Sequence, residues 1–394
     1  MKNSKSLHDR IASHVKDIPG SGIRAFFDIV NEMPEAISLG VGEPGCQTPW
    51  HIRDAAIYAL ELGATGYTSN SGLLSLREEI AKYLAAVYGP EYDPRDQILV
   101  TTGLSEAYDL AIRAVVDPGD EVIYHQPSYV SYGPVVQMSH AVPVVLETKA
   151  ENGFQLDLED LEDKISSRTK LLVLNFPNNP TGAVLDSKMV NEIAALAVKH
   201  DLLVLSDEIY GELTYDRRHI SLLSIPEMEE RTILLHGMSK AWAMTGFRVG
   251  YACGPREIVG AMNKLHQYTM LCAPTLSQHA GIEAFKGAEK DIPELRENFR
   301  RNRNYMSSML KEIGLACSPP HGAFYAFPSI SELGMTSSEF ALSLLEEEQV
   351  AVVPGTAFGA CGEGHIRCSY ATSLEDIKIA MDRIGKFVER VRKH

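Results

Sequence analysis

The amino-acid sequence predicts an α/β fold in which helices sandwich a mostly parallel central sheet. Three observations indicate it: short apolar runs recur between about Ile98 and Gly254, each run is continuously apolar rather than alternating, and longer amphipathic segments separate the runs. Continuous hydrophobicity is typical of strands that are buried on both faces, as the strands of parallel sheets are. We therefore predict strands over residues 98–101, 121–124, 143–146, 171–174, 202–205, 232–235 and 249–252.

Amphipathic segments between the strands predict helices, for example over residues 105–116 and 188–200. After about Pro274 the pattern changes to a long helical stretch, residues 276–286 and then 295–313, followed by alternating strands and helices. A chain of 394 residues is too long for one small core. We predict a large domain over residues 48–285 and a smaller α+β domain formed by residues 1–47 and 286–394.

Composition and charge exclude several kinds of partner. The apolar content of 45% and the charged content of 23% are ordinary for a globular enzyme. The net charge of −15 argues against a nucleic-acid partner, because binding to a phosphate backbone requires a basic surface. No apolar run approaches the roughly 18 residues that span a bilayer, so no membrane partner is expected. The six cysteines lack metal-ligand spacing, which predicts reduced thiols in the cytoplasm and no metal site.

Polar residues follow the predicted strands, at the edge where such a sheet binds ligands. Lys240 stands just past the apolar run 232–236, where burial can keep its amine neutral enough to condense with an aldehyde. Ser239 beside it and Arg248 a short loop later can hold a phosphate dianion. Together these groups suit pyridoxal phosphate, which carries both an aldehyde and a phosphate. An isolated Ser-Lys pair is more often a surface lysine next to a structural arginine, but the other strand ends favour the cofactor.

Three further residues suit the ring of the same cofactor. Asp207 ends the apolar run 202–206, where its carboxylate can pair with a protonated pyridine nitrogen and make the ring an electron sink. Tyr210 follows three residues later, and Asn179 lies in a turn rich in Pro, Asn and Gly; both suit the phenolate oxygen of the ring. Taken singly, these residues have other roles available: a helix cap, a core tyrosine and an ordinary β-turn.

Anion-binding groups complete the predicted site. At Gly103, Leu104 and Ser105 a strand turns into a helix, whose free backbone N–H groups, dipole and Ser105 hydroxyl form an anion site. Tyr129 follows the next strand and can stack on an aromatic ring. Arg367 lies in an apolar strand of the smaller domain, where its guanidinium fits a carboxylate bidentately; a structural salt bridge is the alternative.

Nine segments, taken together, resemble one family. They occur in the order found in class I, aspartate-aminotransferase-like enzymes, which have the fold type I of pyridoxal-phosphate-dependent transferases, and they span nearly the whole chain. Each segment alone is a weak signal, whereas all of them in order are specific. The segments are residues 39–44, 66–67, 102–107, 178–182, 206–210, 239–240 with Arg248, 322–325, 353–355 and 366–367.

The resemblance implies roles at the matched positions. Lys240 is expected to bond to the cofactor aldehyde and to transfer the α-proton of the substrate, and Asp207 is expected to pair with the ring nitrogen. Arg367 is expected to hold the α-carboxylate of the substrate. The remaining expected contacts are the phenolate ligands Asn179 and Tyr210, the phosphate ligands Gly103, Leu104, Ser105, Ser239 and Arg248, the stacking residue Tyr129, the substrate contacts Asn179, Gly42 and Ile23 (the last in a lid), and Tyr67, which reaches the phosphate of a neighbouring subunit in a homodimer.

The resemblance also implies ping-pong transfer of an amino group from an L-amino acid to a 2-oxo acid such as 2-oxoglutarate. An aromatic or broad neutral preference is expected, because Leu104 stands where an aspartate-specific bacterial branch has a lysine. Gly237 replaces a serine that many relatives have, so one phosphate hydroxyl is missing. Aspartate stays an alternative through Arg24, and a β-lyase on the same fold stays another. A non-enzymatic regulator is disfavoured, since no basic segment accompanies the fold.

Overall fold

The computed structural model of the protein describes residues 6–16, 18, 20, 22, 33 and 35–393. Its largest unit is a seven-stranded sheet. Two smaller sheets lie in the terminal parts of the chain. In chain order the strands are β1 (Ile37–Ser38), β2 (Ile98–Thr101), β3 (Glu121–Gln126), β4 (Val142–Glu147), β5 (Thr169–Asn175), β6 (Leu203–Asp207), β7 (Thr232–Gly237), β8 (Gly250–Cys253), β9 (Tyr325–Ala326), β10 (Val350–Ala351), β11 (Val353–Pro354) and β12 (Ile366–Ser369).

The large sheet confirms the predicted fold class. Its seven strands, β2 to β8, are the seven apolar runs, and they lie in the order β2-β8-β7-β6-β5-β3-β4. The four pairings among β3 to β7 are parallel, and only β8 runs antiparallel to its neighbours β2 and β7. Every residue of β2, β7 and β8 is buried, because helices cover both faces of the sheet.

One edge of this sheet collects the polar loops. Strands β3, β5, β6 and β7 run in one direction, so their carboxyl ends meet at the same edge. Strand β8 runs the other way and therefore begins there, which brings Arg248, two residues before it, to the same edge as Asp207 and Lys240. This strand order explains how a loop far from Asp207 in sequence reaches the same place.

The helices start and end at residues that satisfy their free backbone groups. The Asp186 side chain accepts a hydrogen bond from Met189 N at 2.8 Å at the start of one helix, and Thr336 forms a capping box with Glu339 at another. Within residues 6–16 and 35–393, no helix combines the length and apolar content of a membrane-spanning segment. The helices are α1 (Ser13–Lys16), α2 (Trp50–Glu61), α3 (Leu74–Val87), α4 (Leu104–Val115), α5 (Tyr132–Met138), α6 (Leu158–Lys164), α7 (Ser187–Lys199), α8 (Arg256–Thr269), α9 (Thr275–Ile313), α10 (Ser337–Glu348) and α11 (Leu374–Val391).

Helix α9 joins two hydrophobic cores. The two predicted helical stretches form one 39-residue helix, and Pro293 lies inside it without ending it. The first half, including Ala284, packs into the core beside the large sheet, whereas Phe299 and Leu310 pack into the core of the C-terminal part. Packing on both sides of Pro293 therefore outweighs the local tendency of proline to break a helix.

The C-terminal part has its own small sheet, in the order β11-β12-β9, which carries Arg367 on β12. Strand β1, near the N-terminus, pairs in parallel with β10, with Ile37 opposite Val350. This pairing supports our proposal that the N-terminal segment and the C-terminal part form one smaller domain. The division at residues 47/48 and 285/286 stays a prediction.

Candidate functional site

A cavity of about 550 Å³ opens at the polar edge of the large sheet. This volume lies within the roughly 300–1,000 Å³ that small-molecule sites occupy. The lining comes from loops after β2, β3, β5, β6 and β7, from the loop before β8, and from both terminal parts of the chain. The lining residues are Val41, Gly42, Glu43, Leu104, Ser105, Tyr129, Tyr132, Asn175, Asn179, Asp207, Ile209, Tyr210, Ser239, Lys240, Thr245, Arg248, Tyr325 and Arg367.

Lys240 lies three residues beyond β7 and points across the cavity. Its Nζ donates a hydrogen bond of 2.5 Å to the carbonyl oxygen of Gly42. Burial, and then the positive charge of Arg367, lower the pKa of Lys240 to about 8, although Glu43 and Asp207 act in the opposite direction. A substantial fraction of this amine is therefore neutral near physiological pH, which is the state that a nucleophilic lysine requires.

Asp207 ends β6 at the deep wall of the cavity and is only 3% exposed. Its Oδ2 accepts a hydrogen bond of 2.6 Å from the Tyr132 hydroxyl, and its Oδ1 accepts one of 3.1 Å from Ile209 N. Burial raises the pKa of Asp207 to about 6, while the hydrogen bond from Tyr132 lowers it. The carboxylate is thus mostly ionised at neutral pH and costly to keep unpaired, so a cationic ligand is favoured beside it.

Two asparagines connect Asp207 to the opposite side of the cavity. Asn175, opposite Asp207 in the sheet, donates from Nδ2 to the Asp207 carbonyl oxygen at 3.2 Å. Its Oδ1 accepts from Asn179 N at 3.1 Å. The Asn179 side-chain oxygen in turn accepts from Arg367 Nη1 at 2.9 Å. The amide group of Asn179 is therefore held in one orientation, with Nδ2 left to donate to a ligand.

Arg367 is a buried cation without a carboxylate partner among the described residues. It is 2% exposed and lies between the rings of Tyr325 and Phe358, at 4.4 and 4.8 Å from their centroids. Its Nη2 donates to the Gly40 carbonyl oxygen at 2.5 Å, and its Nε has no hydrogen-bond partner in the described structure. A buried guanidinium with a free donor favours an anionic ligand, and the structural salt bridge that was the alternative is absent from the described residues.

Tyr210 lies between the deep wall and Arg367. Its hydroxyl is hydrogen-bonded to that of Tyr325 at 2.9 Å, and burial raises its pKa well above the ordinary value. The phenol therefore stays protonated and can donate to a ligand oxygen. The Lys240 amine is 5.9 Å from the centre of the Tyr210 ring.

The predicted phosphate ligands meet at the mouth of the cavity. Gly103 precedes α4 with φ +77°, and a Cβ at that position would collide with the Arg248 guanidinium. Arg248 itself has φ +54° and donates from Nη1 to the Thr245 carbonyl oxygen at 3.0 Å. Ser105, in the first turn of α4, is exposed and lines the cavity together with Ser239. A guanidinium, two hydroxyls and the free N–H groups of a helix start are a donor set that fits a phosphate.

The structure brings most of the predicted site residues together, and three need separate mention. Gly103 does not line the cavity but supports Arg248. Tyr67 is 84% exposed and does not line the cavity of its own chain. Ile23 lies outside the described residues, as does Arg24. Gly237 is the position at which the sequence analysis expected a serine hydroxyl to be missing. A Cβ built there would lie 3.0 Å from Gly250 Cα, so the close pairing of β7 and β8 favours glycine.

Sequence reasoning gave no role to several residues of the cavity. Tyr132 is the clearest, because its hydroxyl makes the shortest hydrogen bond to the Asp207 carboxylate. Its signal was its place three residues after Tyr129, at the start of the helix that follows the same strand end. Glu43 and Tyr325 lay inside segments that were recognised, and Asn175 ends the strand before one of them, but their partners are distant in sequence.

These donors and acceptors fit pyridoxal phosphate. Arg248, Ser105 and Ser239 suit the phosphate, Asp207 suits a ring cation, and Lys240 faces the same cavity. The Arg367 guanidinium, which lines the cavity without a carboxylate partner among the described residues, leaves a further anion site for a substrate carboxylate. The individual roles stay predictions.

Comparisons with known proteins cover the whole cavity. A family model described as aminotransferase class I and II matches residues 34–384. The putative aminotransferase YugH of Bacillus subtilis (strain 168) is 48% identical over 380 residues, which are 96% of this chain and 98% of that protein. An aspartate aminotransferase of Pyrococcus abyssi is 43% identical over 369 residues, 93% of this chain and 95% of that protein. A solved structure of an aromatic aminotransferase from Pyrococcus horikoshii OT3 has a TM-score of 0.89 and 42% identity, covering 93% of this chain and 99% of that one.

Proposed function

The chain belongs to the class I and II aminotransferases, and within that family we propose that it prefers L-amino acids with aromatic or other neutral side chains as donors. The protein is a pyridoxal-phosphate-dependent aminotransferase that acts on amino acids and 2-oxo acids. We propose a ping-pong cycle with a 2-oxo acid such as 2-oxoglutarate as acceptor. When bound, pyridoxal phosphate supplies an aldehyde that bonds covalently to amines and a pyridinium ring that withdraws electrons from the substrate Cα.

The residues of this chain supply orientation and proton transfer. We propose that Arg367 and Asn179 hold the substrate α-carboxylate, which fixes the direction of the Cα–H bond. Lys240 takes the α-proton on its Nζ and later returns it, for which a pKa of about 8 is well placed. Asp207 keeps a positive charge on the ring nitrogen through its carboxylate, and the buried Tyr210 phenol donates to the ring oxygen.

The charges that line the cavity support the neutral preference. Among the described lining residues the cations are Lys240, Arg248 and Arg367, and each has a role in the reaction or in binding the phosphate or α-carboxylate. No described cation is left for a second carboxylate, and Leu104 adds an apolar surface. A side-chain carboxylate would thus be desolvated without a partner, whereas a neutral side chain would not.

Aspartate is the second candidate donor, because several relatives are named aspartate aminotransferases. Arg24, outside the described residues, is the position from which a second carboxylate would be bound.

A donor panel tests the preference. Tyrosine, phenylalanine, leucine, alanine and aspartate are compared as donors to 2-oxoglutarate by kcat/KM. We expect tyrosine or phenylalanine to exceed aspartate by about tenfold or more, since an unpaired buried carboxylate is unfavourable by well over 1 kcal/mol. A higher kcat/KM for aspartate, lost in Arg24→Ala, would establish the second candidate instead. Pyruvate released from a β-substituted donor without an acceptor would indicate a β-lyase.

We also propose a homodimer with shared active sites. Tyr67 and Tyr268 are each 84% exposed, and Met270 is 52% exposed, which is unusual for large apolar side chains on a monomer. Tyr67 would contact the phosphate in the partner copy. Light scattering tests the stoichiometry, and a mixture of Tyr67→Phe and Lys240→Ala subunits tests sharing. Because the hybrid dimer has one site without either substitution, its activity at limiting pyridoxal phosphate should exceed that of both parent proteins.

We propose the cytoplasm as the location. All six cysteines are free, and Cys253 and Cys368 are buried. Unpaired thiols are typical of a reducing compartment. Fractionation of cells that produce the protein tests this placement.

A further inference from the structure

We propose that Glu43 forms an ammonium site beside Lys240 and that its carboxylate receives the α-ammonium group of an arriving amino acid. The proposal rests on the aminotransferase activity but not on which side chain is preferred. Glu43 lines the mouth of the cavity and is exposed, so it is among the first charged groups that an entering molecule meets.

The charged groups that line the cavity indicate which of them can bind the ammonium group of a substrate. The described lining contains two carboxylates, those of Glu43 and Asp207. Asp207 lies at the deep wall, where the cofactor ring is proposed to bind. An amino acid arrives as a zwitterion, and Arg367 is suited only to its negative end. Glu43 is the carboxylate of the described lining that remains for the positive end.

The course of residues 40–43 gives the right spacing. The Gly40 carbonyl oxygen accepts from Arg367 Nη2 at 2.5 Å, and the Gly42 carbonyl oxygen accepts from Lys240 Nζ at 2.5 Å. One short segment therefore passes first Arg367 and then Lys240, with Glu43 as its next residue. The carboxylate and ammonium groups of an amino acid share one carbon, and consecutive Cα atoms are only about 3.8 Å apart. A carboxylate on Arg367 places the ammonium toward Gly42 and Glu43.

The charge of Glu43 already acts on an amine at this place. It raises the pKa of Lys240, against burial and Arg367, which together lower it to about 8. The α-ammonium group of a substrate next to Lys240 would experience the same attraction. The amine site thus serves two cations in turn, the incoming ammonium and the free Lys240 side chain.

Thr245 holds the carboxylate of Glu43 in position. Its Oγ1 donates to Glu43 Oε2 at 2.8 Å. In the described part of the chain, the other oxygen, Oε1, accepts no hydrogen bond. A purely structural reading is that this contact tethers residues 40–43 to the loop before β8. The two readings differ in what they predict for ligands with and without an ammonium group.

The kinetic test uses Glu43→Gln in the holoenzyme, which keeps the shape and an acceptor for Thr245 but removes the charge. The two half-reactions are followed separately by the absorbance of the bound cofactor. We expect kcat/KM for the best amino acid of the panel to fall about five- to tenfold, the range between an exposed ion pair and a charged hydrogen bond. The half-reaction of the 2-oxo acid, which has no ammonium group, should change less than twofold.

Calorimetry gives a readout that does not depend on turnover. α-Methyl-L-phenylalanine has an ammonium group but no α-proton, and 3-phenylpropanoate has the carboxylate without the amine. Glu43→Gln should weaken the first ligand about five- to tenfold and the second less than twofold. If the panel favours aspartate, α-methyl-L-aspartate and succinate replace this pair, so failure of the proposed preference changes the probes and leaves the test intact.

Two controls complete the experiment. Glu257→Gln removes an exposed carboxylate of α8 outside the cavity and should leave both ligands unaffected. Thr245→Val should weaken the amino-acid analogue in the same direction as Glu43→Gln, but less. Equal losses for both ligands, or no loss for the amino-acid analogue, would overturn the ammonium site. If the wild-type enzyme transaminated no donor, the proposed function itself would be wrong.

Discussion

The deep wall and the mouth of the cavity are built in different ways. At the deep wall, Asp207, Tyr132 and Asn175 are at most 3% exposed and hydrogen-bond to one another or to neighbouring backbone. At the mouth, Ser105 in the first turn of α4 and Arg248 on the loop before β8 are both exposed, and Arg248 has a positive φ. The side chains of the wall are hydrogen-bonded before any ligand binds, whereas the mouth presents exposed donors that are available to a ligand.

This difference indicates a division of labour. Side chains that set the charge on the ring need a fixed, dry environment, because electrostatic effects are strongest there. Side chains that anchor a phosphate can remain solvated until the ligand arrives. Substitutions at the wall should therefore change kcat and stability, and substitutions at the mouth should mainly change cofactor affinity.

The largest effect is expected at Lys240, which lies between the two regions. Lys240→Ala removes both the covalent attachment and the proton transfer, so kcat should fall at least about 10⁴-fold for every donor. Stopped-flow kinetics measure the loss. Borohydride reduction of the wild-type holoenzyme, followed by peptide mass spectrometry, should label Lys240. A label on a different lysine, or substantial residual turnover, would contradict the assignment.

The next largest effect is expected at the deep wall. Asp207→Asn removes the negative charge opposite the ring nitrogen, and kcat should fall about 10²- to 10³-fold. Cofactor affinity, measured by fluorescence titration, should fall less than kcat. A loss confined to cofactor affinity would mean that Asp207 acts like the mouth residues, and it would contradict the distinction between wall and mouth.

The same substitution should stabilise the cofactor-free protein at high pH. The pKa of Asp207 is about 6 in the folded state, above about 3.9 for an unfolded aspartate. Between these values the folded state holds a proton that the unfolded state has lost, so the contribution of Asp207 to stability falls from pH 4 to pH 6 and then levels off. We expect Asp207→Asn to exceed wild type in unfolding free energy by about 1–3 kcal/mol at pH 8 and to match it near pH 4. Urea unfolding at pH 4, 6 and 8 measures this difference, and a difference that shrinks with rising pH would be inconsistent with it.

A smaller effect is expected at Tyr132. Tyr132→Phe removes the 2.6 Å hydrogen bond to Asp207, which raises the carboxyl pKa further, and kcat should fall about tenfold, the worth of a hydrogen bond to a charged group. The pH below which kcat declines should move upward. Tyr108→Phe, a buried tyrosine whose hydroxyl donates to the Tyr132 carbonyl, is the matched control and should leave that pH unchanged.

The smallest effect is expected at the mouth. Ser105→Ala removes one exposed hydroxyl, and the Kd for pyridoxal phosphate should rise about three- to tenfold with kcat nearly unchanged. Equilibrium dialysis measures the Kd. A fall in kcat at saturating cofactor would show that the mouth also shapes the chemistry and would remove the distinction between the two regions.

The sequence predicts those features that depend on local patterns. The strands β2 to β8 were predictable because each is a continuous apolar run, and the position of Asp207, Lys240 and Asn179 at the ligand edge was predictable because each stands at or a few residues past the end of a strand. Tyr132 was not, since its hydroxyl meets a carboxylate 75 residues away. The lack of an acidic partner for Arg367 among the residues that the structure describes is likewise a property of tertiary packing. The two predicted helical stretches, 276–286 and 295–313, are one helix because packing on both sides of Pro293 overrides the local tendency to break.

The continuity of α9 has a mechanical consequence. The first half of α9 packs into the core beside the large sheet, which carries Lys240 at its edge. The second half packs into the core of the C-terminal part, which also contains the neighbours of Arg367 on β12. A rotation that carries Arg367 toward Lys240 must bend α9 or unpack one of its halves. Pro293 has no backbone N–H and so lacks one hydrogen bond of the helix. If α9 bends, we expect it to bend at this residue.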